Sequence, residues 1–247
     1  MRRCFDQIII EKKMKKLLFL IALIAAVIIG NNLFHGRTAL QMKTPMLVNP
    51  YPQTSPMYAD QQAFVDKFNG NVKLRDRYAG IITSKGLYAA WKAAFSRGAR
   101  SLPRDRLVQA AKTQAAILAR LPEASCAKFA RPQDDFDQAL GADIRTAVEA
   151  LPSRHHLIMN DFFYDSLQAE LDNAPVVPVD QENLQVAMLA LGRRYPGEYG
   201  ARLIGVLSNP AGASDTDACW AANSLMTTAA DLPDNEAEAL LRKSFGG

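Results

Sequence analysis

The strongest constraint on the fold is a single stripe. Phe136, Leu140, Ile144, Val148 and Leu151 recur at three- and four-residue intervals, the spacing that puts one apolar face on a helix about four turns long. The same period returns along most of the chain after Ala59. Phe64 and Phe68, then Leu87, Trp91 and Phe95, then Leu107, Ala111 and Leu118 each line one face. Phe163, Leu167 and Leu171, then Leu184, Met188 and Leu191, then Leu203 with Leu207, then Trp220 with Leu225 continue it. The punctuation agrees. Leu-Pro pairs at Pro103, Pro122, Pro152 and Pro233 mark helix starts, where a missing N–H costs nothing in the first turn. Ser214 with Asp217 and Asp180 with Asn183 have N-cap spacing, and Gly70 and Gly98 read as stops. The strand-like Pro175–Val179 stretch contains two prolines, which make it a linker. The expected fold is all-α, a multi-helix globular domain of roughly eight or nine helices. The unequal spacing of the Leu-Pro pairs argues against a solenoid.

A different apolar stretch sets the compartment. Lys12, Lys13, Lys15 and Lys16 precede thirteen unbroken apolar residues, Leu17 to Ile29. A basic cluster before a short apolar run is the pattern of an export signal. Thirteen residues are short against the roughly 20 a bilayer needs, and extension to Phe34 reaches eighteen. The best cleavage site, Ile28-Ile29-Gly30, is a poor one, so the segment reads as an uncleaved signal anchor. Met14 offers a second start that leaves a complete signal. The implied organisation is a cytoplasmic basic N-terminus over 1–16, a membrane helix over 17–34, a proline-rich linker over 35–58 and an exported helical domain over 59–247. The linker's Met46, Leu47, Val48 and Tyr51 are alternatively apolar enough to pack on the domain.

Charge follows from this layout. The first thirty residues carry six basic and two acidic side chains, which is the whole net charge of +4. The remainder is balanced, which removes composition as an argument for nucleic acid. It is nevertheless polarised. Residues 60–131 hold fourteen basic and five acidic side chains, and residues 132–247 hold seven and eighteen. Either the two parts neutralise each other in the fold, or they present charged surfaces to a partner. Cysteine usage adds one pairing. Cys4 precedes the anchor, whereas Cys126 and Cys219 lie in the exported part, where oxidising conditions favour a disulfide between them.

No reactive constellation survives inspection. Ser125 and Lys128 fit S-x-x-K, but its companion motifs and the sheet that carries them are missing. His155 and His156 are adjacent, so they point about 100° apart, and Ile158, Met159 and Asn160 occupy the turn where a second ligand would sit. The pair reads as a solvated helix terminus. Asp134, Asp135 and Asp137 suit a helix's first turn rather than a calcium loop, and Asp215 with Asp217 suit a cap. No catalytic, metal or cofactor site is expected. The basic cluster Arg97, Arg100, Arg104 and Arg106 is the candidate interaction surface, facing anionic lipid headgroups, or else a solvated loop. The reading this supports is a membrane-tethered extracytoplasmic protein that binds, scaffolds or neutralises another envelope protein. The alternative is a cell-wall glycan hydrolase, whose two carboxylates leave weak sequence marks. A small-ligand domain would need a sizeable apolar pocket.

Overall fold

The computed structural model describes residues 47–79, 84–131 and 138–246. Among them are eleven α-helices, one 3₁₀ turn (Pro210–Gly212) and no strand, so the domain is all-α. Residues 1–46, with the stretch read as a signal anchor and Cys4, and residues 132–137, with Phe136 and the Asp134, Asp135 and Asp137 cluster, lie outside the described residues.

The described residues form two compact units, each built from two separate stretches of chain. The first takes 103–131 and 178–246. It contains α1 (Arg104–Leu118), α2 (Glu123–Ala130), α3 (Gln181–Arg193), α4 (Glu198–Ser208), α5 (Asp215–Ala229) and α6 (Asp234–Gly246). α5 packs on α1 and α2, and α3 packs on α4 and α6. A Cβ on Gly200 would stand 2.3 Å from the Gly192 carbonyl oxygen, so α4 touches α3 backbone to backbone there. Cys126 of α2 is bonded to Cys219 of α5, with 5.1 Å between their Cα atoms. The expected disulfide is present, and we call this the cystine unit.

The second unit takes 47–102 and 138–177. Its helices are α7 (Tyr58–Gly70), α8 (Val72–Tyr78), α9 (Ser84–Ala99), α10 (Gln138–Glu149) and α11 (Ser153–Leu171). α11 is the axis, with α7, α8, α9 and α10 all packed against it. Its Phe162 and Phe163 meet Phe95 of α9 at ring centroids 5.5 and 5.9 Å apart, and Phe163 also meets Trp91 and Phe64. We call this the aromatic unit. Leu47 and Tyr51 are buried in it, so the segment before α7 is packed rather than free, while Val48 stays exposed. Gly98 is not a stop but the penultimate residue of α9. A Cβ there would lie 1.7 Å from the Ser166 carbonyl oxygen, so glycine is what lets α9 lie directly on α11.

The Leu-Pro pairs act one residue earlier than expected. Pro103, Pro122 and Pro152 are N-caps with extended backbone, just outside the helices they precede. Each leading leucine is buried, and so is the residue four beyond each proline: Leu107, Cys126, His156 and Ala237. Burial at both positions is the arrangement of a hydrophobic staple, which fixes the angle at which the chain enters a helix. Ser214 and Asp180 cap their helices through Asp217 N and through Glu182 N and Asn183 N.

Candidate functional site

The four arginines divide between the units. Arg97 pairs with Glu170 of α11, which Arg77 also approaches at 3.4 Å. Arg104 reaches Asp234 at 2.7 Å. Arg100 and Arg106 are engaged within the chain as well. These pairs are part of a wider pattern. In the aromatic unit, residues 60–102 supply eight basic and three acidic side chains, and 138–177 supply two and six. In the cystine unit, 103–131 supply six and two, and 178–246 supply five and nine. Every unit thus joins a basic stretch to an acidic one. Lys67–Asp161 at 3.5 Å, Lys112–Asp231 at 3.7 Å and Arg131–Asp215 at 2.7 Å link the two stretches directly. Neutralisation inside each unit accounts for the polarity of the sequence.

The catalytic candidates resolve into structure. Ser125 is buried on α2, flanked by the disulfide of Cys126. Asp215 is held by Arg131, and Asp217 by Arg202 and the Ser214 cap. Among the described residues no group of three His, Cys, Asp or Glu side chains could hold a metal ion. In the cystine unit an apolar recess between Val206, Pro210, Ala222, Met226 and Ser244 has interior space for about one water, too little for a small ligand.

His156 is the feature the sequence did not reveal. It is 1% exposed, not a solvated terminus, because it fills the inner staple position behind Leu151. Its Nε2 lies 2.9 Å from Gln61 Oε1, which also accepts from Asn160 Nδ2 at 3.3 Å. Asn160 Nδ2 also stands 3.4 Å from His156 Nε2, so the ring nitrogen lies between an oxygen that only accepts and an amide nitrogen that only donates. Nδ1 faces the Asp60 carboxylate at 3.9 Å, which in turn accepts from the Ser153 hydroxyl. Tyr51 meets the imidazole edge-on, 5.5 Å between centroids. Three buried polar atoms here have no hydrogen-bond partner among the described residues: Tyr51 Oη, Gln61 Nε2 and His156 Nδ1. Burial lowers the His156 pKa to about 4, although Asp60 pulls it the other way. Burial and, secondarily, Glu149 push the Tyr51 hydroxyl well above its ordinary range.

This arrangement does not activate a nucleophile. The carboxylate lies between hydroxyl and imidazole, whereas a relay needs the base between nucleophile and carboxylate. What it offers is a titratable group locked in a closed core. The cue in the sequence was its register: Leu107, Cys126 and Ala237 occupy the equivalent position after the other Leu-Pro pairs. No protein-family model, curated protein or solved structure matches the chain, and its sites rest on geometry alone.

Proposed function

We propose that this is a membrane-tethered extracytoplasmic protein whose helical units bind, scaffold or neutralise another protein of the cell envelope. The observation that carries the reading is the Cys126–Cys219 disulfide. Such a bond persists in oxidising compartments and is rare in the cytosol. It agrees with the export pattern at Lys12–Ile29. Among the described residues no helix is long and apolar enough to cross a membrane, and the tether in this reading is the 17–34 segment. Binding rather than hydrolysis is supported by how the surface is used. Asp161, Glu170, Asp215 and Asp217 are held in ion pairs, while Val186, Leu189 and Tyr199 stand exposed on α3 and α4.

The test uses tagged full-length protein from native membranes in mild detergent. Alkylation without reductant should label Cys4 and spare Cys126 and Cys219, and one stoichiometric envelope protein should remain bound. Recovery in the soluble cytoplasmic fraction, or labelling of all three thiols, would sink the reading. Release of fragments from purified cell-wall polymer would replace it with the hydrolase.

A further inference from the structure

The two faces of α3 differ in burial. Its inner face, Leu184, Ala187 and Leu191, is buried in the cystine unit. On the outer face Glu182, Val186, Leu189 and Arg193 are all exposed, Val186 at 42% and Leu189 at 60%. Their spacing of four, three and four residues is that of an a/d seam, two apolar positions bracketed by one acid and one base. Neither the Glu182 carboxylate nor the Arg193 guanidinium has a partner among the described residues.

The order of these side chains is self-complementary. The midpoint of Val186 and Leu189 coincides with the midpoint of Glu182 and Arg193. Two α3 helices laid antiparallel about a dyad at that point place Val186 against Leu189 of the other copy. The same register sets each Glu182 against the other copy's Arg193, and Gln185 against the small Ala190. An isologous contact requires this property, that each residue's complement lies on the same patch. Four exposed side chains on a thirteen-residue helix satisfy it together. A parallel pairing would instead oppose like charges.

We infer that the chain forms a two-fold dimer through antiparallel α3 helices. The inference does not rest on export or on the envelope partner, so either can fail alone. The test measures dimer dissociation of the full-length chain in mild detergent by sedimentation across a dilution series. E182R and R193E alone should each raise the dissociation constant about tenfold or more, because both symmetric pairs become repulsive. An equimolar mixture of the two variants, and the double variant E182R/R193E, should return to within about threefold of the original, because every pair is opposite in sign again. Leu189→Ser, which leaves the helix charges alone, should weaken the dimer as the single swaps do. An unchanged helical circular-dichroism signal establishes that each variant is folded. A chain that stays monomeric to about 100 μM overturns the inference. So does dimerisation insensitive to the single swaps, or a double variant as weak as either. An envelope protein captured by this face on a monomeric chain would assign the face to that protein and equally overturn it.

Discussion

The two units solve the same packing problem with different means. In the cystine unit the buried faces are rich in small side chains: Ala110 and Ala111 on α1, Ala127 and Ala130 on α2, Ala218, Ala221 and Ala222 on α5. Small residues let helices approach closely, but each removes little apolar area from water. The disulfide adds what those faces lack. The aromatic unit has no cross-link among its described residues and instead interlocks Phe64, Phe68, Trp91, Phe95, Phe162 and Phe163, all at most 5% exposed. Aromatic side chains bury 150–250 Å² each, roughly, and gain further from edge-to-face contact. It also encloses the polar cluster around His156. One unit should therefore answer to redox conditions and the other to pH.

Reducing the disulfide, or replacing both cysteines by serine, should cost the cystine unit up to about 4–5 kcal/mol for a loop of 93 residues. Hydrogen exchange should speed up in α1, α2 and α5 and stay unchanged in α9 and α11. Equal loosening of both units would show that they fold as one. The pH effect comes next. The His156 pKa is about 4 in the fold against an ordinary 6.5. Between those values the unfolded chain holds a proton that the folded chain refuses, so stability is full above pH 6.5 and falls as pH drops towards 4. The loss reaches about 3 kcal/mol. Urea titrations followed at Trp91 should show this slope, and H156Q should flatten it relative to the original chain.

Gly98→Ala should cost the aromatic unit about 2–3 kcal/mol, because the added methyl meets the Ser166 carbonyl and α9 must lift from α11. The smallest effect belongs to Glu170→Ala, at about 1 kcal/mol. Its carboxylate is mostly covered, but the guanidinium of Arg97 that it would strand is half exposed and returns to water. If Glu170→Ala proved as damaging as Gly98→Ala, the ion pairs and not the ring contacts would be holding the aromatic unit together.

Much of this architecture is legible in the sequence. Most of the helical stripes survive as buried faces because burial follows periodicity, and only two of the three cysteines, Cys126 and Cys219, lie in the helical part, which allows one pairing. The caps at Ser214 and Asp180 hold for the same local reason: a side-chain oxygen near free backbone N–H groups. What stayed hidden was non-local. Periodicity passed over the seven-residue α8, which is too short to show a stripe. Nothing in residue order says that 138–177 packs with 47–102 while 103–131 and 178–246 join elsewhere. That interleaving is why one sequence-wide charge gradient becomes two balanced units. His156 was misread because a histidine pair near a helix start is ordinarily solvated, and only the staple register places it inside. Gly98 was misread because a glycine near a helix end serves equally as a stop or as a contact point.

The cystine also sets how the chain bears tension. All of 138–177, and with it α10 and α11, lies within the stretch of chain that Cys126 and Cys219 enclose. If the chain is pulled from its two ends, the load runs along α7, α8, α9 and α1, crosses the sulfur–sulfur bond from α2 to α5, and leaves by α6. The 93-residue span between the cysteines hangs from that line as a slack side loop, and about 300 Å of extensible length is locked away. A reductant acts on such a molecule as a release catch, setting how far it can stretch before it breaks.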